Sequence, residues 1–273
     1  MIFTSSIYKI PIIKNVIVYD ETDSTNNRAK DFGKNGCVEG TLVVSDCQTA
    51  GRGRIGRSFS SPSGEGIYMS LLLKPDIDES LISQITLLSA LAISRALINN
   101  YGIKTGIKWP NDLLINEKKI TGILTEKCED FIVIGIGINV NNKEFDENIA
   151  QIASSLYLET GMEFEREILI EKILAEFNDL YYSFLTEQNL KSIITEYNER
   201  LISYDRDIYI IPYEMTGKLN NSYQLKDESL PVYHCMGIAP DGSLICRDSY
   251  GKLSRINTGE ISVRNAYQHN NPN

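Results

Sequence analysis

Residues 79–101 read ESLISQITLLSALAISRALINNY, with apolar side chains at helical spacing, an acid at the start and Gly102 directly after the end. Such a stretch is a helix that has to be packed, entered on a negative charge and stopped at a residue that tolerates the left-handed conformation. Strand-like segments surround it. VIVYD, TLVVSDCQ and IYMSLLLK come before, with a helical segment from Ser24 to about Gly33 between the first two. TGIKWPNDLLI, KKITGILTEK and FIVIGIGINV come after as consecutive strands, and INEKK is able to turn a hairpin. Two or three helices follow between about 149 and 201, among them REILIEKILAEFNDLYYSFL. From about residue 205 the texture changes to short β-like pieces (DIYIIP, PVYHCMGIA, SLICRD, KLSRI, EISVR) divided by Gly, Asp and Asn, which predicts a small β-barrel. The expected organisation is therefore an α+β main domain over 1–204 and a small β domain over 205–273, in a chain of 273 residues that is long enough to bury a core.

Composition excludes several kinds of chemistry. The formal net charge of −9 argues against a nucleic-acid protein, whose affinity rests on basic surface. Only two histidines occur, His234 and His269, too few for a Cys/His metal cluster or a Ser-His-Asp relay to be expected. The five cysteines (Cys37, Cys47, Cys128, Cys235, Cys246) are odd in number and show no C-x-x-C spacing, so no disulfide is expected. The N-terminus has no basic start followed by an unbroken apolar run, and no stretch is read as approaching the roughly 20 apolar residues of a spanning helix. A cytoplasmic protein without a membrane partner is expected. Its chemistry has to run on Arg, Lys, carboxylates and backbone amides.

Those groups concentrate in GRGRIGRSFSSP, residues 51–62. Gly51, Gly53 and Gly56 satisfy G-x-G-x-x-G, but SFSSPSGEG, which follows, is a poor helix, and the dinucleotide motif needs one there to hold the pyrophosphate. The same objection removes a P-loop, which also requires Lys where Arg57 stands. A protein-kinase glycine loop fails because no H-R-D or D-F-G occurs. What remains is a flexible loop whose glycines let backbone approach a ligand while Arg52, Arg54 and Arg57 offer planar forks to carboxylate or phosphate oxygens.

DSTN (23–26), Q-x-x-G-R-G-R-x-G-R (48–57), KWPND (108–112), K-I-T-G-I-L-x-E (119–126) and G-I-G-I-N (135–139), taken in this order and spacing, resemble the biotin protein ligases, and GEISVR (259–264) resembles the end of their small SH3-like domain. The resemblance covers roughly residues 16–265. It implies a central mixed sheet flanked by helices, of the class II synthetase-like kind, with a C-terminal SH3-like β-barrel. It implies activation of biotin with ATP to biotinyl-5′-AMP, then transfer to one lysine of the biotin carboxyl carrier domain of a biotin-dependent carboxylase. Mg2+ is implied as cofactor, bound mainly through ATP's own phosphates, with protein metal ligands unknown. A homodimer stays open.

The resemblance also assigns residues. Ser24, Thr25, Asn26, Gln48, Arg52, Gly53, Arg54, Tyr68, Lys119, Gly122, Gly135 and Gly137 fall at the biotin side. Arg54, Arg57, Phe59, Asn111, Lys119, Asn139 and Arg264 fall at the nucleotide side. Lys119, Asp112 and Arg54 are the catalytic candidates: Lys119 at the biotin carboxylate and α-phosphate, Asp112 facing the incoming acceptor lysine, Arg54 gripping the reactive anhydride. Lys108 in KWPND competes with Lys119, and sequence does not choose between them. By residue type alone, Ser24 reads as a helix N-cap, Lys119 as a solvated lysine at a hairpin edge, and Asp112 as a turn residue. Phe59 departs from the family's usual tryptophan, offering less stacking area and no indole N–H. A lipoate or octanoyl ligase is the nearer rival, against which G-R-G-R with KWPND favours biotin. A biotin-sensing DNA-binding regulator is disfavoured, because only about 20 residues precede DSTN.

Overall fold

The structure, a computed structural model, describes residues 5–212 and 231–257 and the backbone of 261–265. In chain order the elements are β1 (Asn15–Thr22), α1 (Thr25–Lys34), β2 (Thr41–Gln48), β3 (Gly66–Leu73), α2 (Ile82–Tyr101), β4 (Gly106–Lys108), β5 (Asp112–Ile115), β6 (Lys118–Lys127) and β7 (Ile132–Asn139). Then come α3 (Glu147–Ala150), α4 (Leu156–Thr160), α5 (Arg166–Glu187), α6 (Ile194–Arg200), β8 (Arg206–Pro212), β9 (Val232–Ile238), β10 (Leu244–Arg247), β11 (Leu253–Ile256) and β12 (Ile261–Asn265). By contacts the chain divides into two units.

The first unit, running to Ile107 and from Asn111 to Gln188, is built on a seven-stranded sheet in the order β1-β2-β3-β7-β6-β5-β4. β1 and β2 are parallel, as the crossover helix α1 between them requires, whereas β2/β3, β3/β7, β7/β6 and β6/β5 are antiparallel. The sheet is mixed, and helices flank it. INEKK does turn the β5/β6 hairpin, with Ile115 opposite Lys118 and both loop residues, Asn116 and Glu117, in the left-handed region that a two-residue hairpin favours. Every residue of β3 is buried, which marks the centre of the sheet.

The helix expected over 79–101 forms, entered through a short turn at Glu79–Leu81 and stopped by Gly102 at φ 70°. One expectation needs correction. Glu79–Tyr101 does meet the length and composition of a membrane-crossing helix, with a mean hydropathy of 1.7. Its apolar surface is accounted for inside the fold: 72% of its most apolar stretch is buried. Residues from α2, α5, β3 and β7, including Ala92, Ile173, Phe177, Met69 and Ile136, come together there around an apolar pocket. On the opposite face α1 covers Val43, Leu72 and Val133 through Ala29.

The second unit, Lys108–Pro110 with the chain from Asn189 onward, carries a five-stranded antiparallel sheet of SH3-like kind in the order β11-β10-β9-β8-β12. The sequence changes texture at 205, but α6 groups with this sheet because the Asn198 side chain accepts from the Ile238 amide at 3.0 Å. Likewise the Leu190 amide donates to the Pro240 carbonyl at 2.9 Å. Trp109 joins Lys108–Pro110 to the same unit, its indole N–H donating to the Gly242 carbonyl at 3.1 Å. The five cysteines are free thiols.

On β9, the middle strand of this sheet, His234 holds two carboxylates, Asp207 at 3.0 Å and Asp205 at 3.1 Å. The Asp207 hydrogen bond, with Asp205 behind it, raises the imidazole above its ordinary value against the opposing effect of burial. A raised pKa means the pair stabilises the fold fully below the unfolded value near 6.5 and loses that contribution as pH rises through the folded value. Thermal melts of wild type and His234→Ala are therefore expected to differ more at about pH 5.5 than at about pH 8.5, by under about 1 kcal/mol at this exposed site. A difference that grew with pH would contradict the assignment.

Candidate active site

Period-two alternation in the central strands decides what stands on the α1 face. Strand register sets out three rows there: Tyr68, Gly137 and Gly122; Ser70, Gly135 and Leu124; Leu72, Val133 and Glu126. The last row lies under α1, while the first two form a floor with three glycines in it. These glycines are needed for close approach. A Cβ at Gly135 would overlap the Asn26 side chain, and one at Gly137 would lie 2.7 Å from the Phe59 ring.

The start of α1 stands beside this floor. Ser24 is the N-cap residue in extended conformation, yet its hydroxyl makes no capping bond, and it is buried. Gln48 takes over, its amide oxygen accepting from the Thr25 backbone N–H at 2.8 Å and the Thr25 hydroxyl at 3.2 Å. The Gln48 amide nitrogen donates to Ser61 at 2.9 Å, so one side chain ties α1 to the end of the arginine loop. Asn26 is also fully engaged: its nitrogen reaches Glu126 at 2.9 Å and the Leu124 carbonyl at 3.3 Å, and its oxygen accepts from Ser70 at 2.6 Å. The Ser70 and Thr25 hydroxyl oxygens lie 2.8 Å apart.

The Gly-Arg loop is closed by its own backbone. Gly53 N–H donates to the Arg57 carbonyl at 2.7 Å and Phe59 N–H to the Gly51 carbonyl at 2.9 Å, around a short turn at Arg54–Gly56. Phe59 stands over Gly137 and near Gly122, with its ring 6.4 Å edge-on from that of the buried Tyr68. The Tyr68 hydroxyl donates to the Pro62 carbonyl at 3.0 Å, and burial pushes its pKa up.

The charged residues form two clusters. In the first, Arg54 donates to Asn111 Oδ1 at 2.7 Å, Asn111 Nδ2 donates to Asp112 Oδ1 at 2.9 Å, and Lys119 Nζ lies 2.8 Å from that same Asp112 oxygen. All three catalytic candidates thus meet through one amide, and Lys119 borders the floor, 3.3 Å from where a Cβ on Gly122 would sit. In the second, Glu126 accepts from Arg52 at 2.7 Å and Lys30 at 3.1 Å as well as from Asn26. Burial would raise the Glu126 pKa, but Asn26, Lys30 and Arg52 together hold it below the usual range.

Asn139 is buried beyond the floor and donates to the Ser154 carbonyl at 3.0 Å, while Ser154 N–H donates to the Lys119 carbonyl at 3.0 Å. Arg57 closes the loop by its backbone. Lys108 groups by its contacts with the second unit. Arg264 lies on β12 opposite Tyr209, and its side chain falls outside the described residues. Sequence reasoning missed Ser70, Ser61 and a role for Glu126. The last of these closes the quoted K-I-T-G-I-L-x-E run, and its even spacing from Gly122 places both on one strand face.

Comparison with known proteins follows the same lines. The model of the biotin/lipoate A/B protein ligase family matches residues 18–141. The bifunctional ligase/repressor BirA of Bacillus subtilis is 43% identical over 180 residues, 63% of this chain and 55% of that protein. The biotin--[acetyl-CoA-carboxylase] ligase of Mycobacterium tuberculosis is 31% identical over 144 residues, 51% of this chain and 53% of that one. The chain thus spans about half the length of these curated relatives. A solved biotin protein ligase from Aquifex aeolicus, in complex with biotin and ATP, superposes with a TM-score of 0.79 at 31% identity, over 93% of this chain and 100% of that one. The family model, the curated relatives and the overall superposition coincide on one group, and the chain belongs to the biotin protein ligase family.

Proposed function

We propose that this protein activates biotin with ATP to biotinyl-5′-AMP and then transfers biotin to one lysine of the biotin carboxyl carrier domain of a carboxylase, in the cytoplasm. The observation that carries this reading is the run Arg54, Asn111, Asp112 and Lys119 along the edge of the glycine floor. Attack of a carboxylate on the α-phosphate brings two anions together, and pyrophosphate departs with more charge. A lysine and an arginine pre-set by a shared amide and carboxylate suit that demand, because they need little reorganisation as charge develops. The glycine floor that Phe59 covers suits a compact, largely apolar ring system with a polar head near Ser24 and Thr25, once the Phe59 ring gives way to it. Asp112 is the carboxylate placed to hold the Lys119 ammonium in the first step and to face an acceptor amine in the second.

The domain assignment belongs to the same proposal: a catalytic domain over 1–204 and a small SH3-like domain over 205–273, although α6 groups by its contacts with the second unit, which begins at Asn189. The donor set does not fit a protein-held magnesium. Among the described residues no three His, Cys, Asp or Glu side chains group as ligands, and Asp112 and Glu126 are each already paired with cations. Magnesium is read as arriving on ATP's phosphates. The relatives support this reading, one being solved with biotin and ATP and one named for acetyl-CoA carboxylase.

Incubation with ATP, Mg2+ and either biotin or lipoate, followed by mass spectrometry for the adenylate, tests the proposal. Biotinyl adenylate alone is the expected product. Lipoyl adenylate would move the chain to the rival ligase, and biotin binding without ATP consumption would make it a binding module.

A further inference from the structure

The loop from Gly51 to Phe59 is braced internally by its own backbone bonds, so its placement over the floor depends on what its side chains hold outside it. Two such attachments are on opposite sides of the floor. Arg54 is held by Asn111, whose backbone carbonyl accepts from Ile123 on β6 at 3.0 Å. Arg52 is held by Glu126, two same-face positions further along β6 than Leu124's neighbour Gly122. Glu126 is itself fixed from a third direction, because Asn26 and Lys30 of α1 donate to it. The two glutamate oxygens divide the work: Oε2 takes Arg52 and Asn26, and Oε1 takes Lys30.

We propose that Glu126 is a positioning residue that latches the Gly-Arg loop to the sheet through Arg52, and so keeps Phe59 and Arg54 over the glycine floor. Arg52 then works as the loop's anchor, and Arg54 is the arginine aimed at the reacting groups. This inference deepens the biotin-ligase reading, but its primary test needs no substrate. The carboxylate is suited to the task because Lys30 already neutralises it, so a closed latch leaves no bare negative charge beside an anionic ligand. Glutamine at 126 keeps an oxygen for Asn26 while removing the charge that holds Arg52.

The test is limited chymotrypsin digestion of the ligand-free full chain, following the fragment that ends at Phe59, in Glu126→Gln, Arg52→Gln, the double variant and Lys30→Gln. Each of the first two is expected to raise cleavage after Phe59 about fivefold, with the double variant within about twofold of either single. Lys30→Gln touches only the other oxygen and is expected to stay within about twofold of wild type. Unchanged cleavage in Arg52→Gln overturns the proposal, as does an equal rise in Lys30→Gln, which would reflect a general loosening. Should Glu126→Gln melt too low to assay, Arg52→Gln decides alone. In a second arm with biotin and ATP, Glu126→Gln is expected to release the adenylate about fivefold faster than wild type. Slowed formation with unchanged release would overturn the positioning role. Absence of any adenylate from wild type would instead refute the proposed function and leave the digestion result standing.

Discussion

Lys119→Ala is expected to lower the rate of adenylate formation about a hundredfold while the protein stays folded, an effect of about 3 kcal/mol for one pre-set charge at a developing oxyanion. The ammonium is partly exposed, at 37% of the side chain, so its loss opens no core cavity. Its backbone is held independently, N–H to the Ile152 carbonyl at 2.9 Å and carbonyl from the Ser154 N–H, so the local chain path does not depend on the side chain. What is lost is the cation bordering Gly122 and partnering Asp112. Single-turnover adenylate synthesis with a thermal melt alongside measures both quantities. A rate within about threefold of wild type would mean that another cation, Arg54 or Lys108, carries the step. Asp112→Asn keeps the ammonium and is expected to slow transfer from preformed adenylate more than its formation. Equal slowing of the two steps would make Asp112 an anchor for Lys119 and nothing more.

Gly135→Ala is expected to destabilise the first unit by about 3 kcal/mol, although it adds a single methyl. That methyl would overlap Asn26 Oδ1, and the side chain it must displace is not free to swing. Asn26 is buried and bonded to Ser70, Glu126 and the Leu124 carbonyl, so moving it strands polar groups in the interior, where each unmet bond costs on the order of 1–3 kcal/mol. Gly137→Ala makes the informative contrast. Its methyl would meet the Phe59 ring at 2.7 Å, the end of a side chain on a surface loop, and the loop can lift. Chemical denaturation is expected to show the larger loss for Gly135→Ala. Comparable stability losses for the two variants would mean that Phe59 is as firmly seated as Asn26.

The sequence by itself determined the elements and the family. Local periodicity is a property of neighbouring residues, so the packed helix ending at Gly102, the hairpin at INEKK and the change of texture at 205 could be read before any contact was known. The ordered motifs carried the group to which the chain belongs, and period two alone placed Gly135 and Gly137 on one face. Tertiary structure decided what the motif residues touch, because hydrogen-bond partners come from chain segments far apart in sequence. Gln48 and Asn26 carry donors and acceptors that a ligand could use, and only the fold shows them engaged by Thr25, Ser61, Ser70 and Glu126. Arg52 and Arg54 are two residues apart and alike in chemistry, yet one meets a carboxylate 74 positions away and the other an amide 57 positions away. Lys119 was the catalytic candidate the resemblance assigned, and Lys108 competed with it without the sequence choosing between them. Folding set one beside Asp112 at 2.8 Å and grouped the other with the second unit, a distinction that spacing along the chain does not contain.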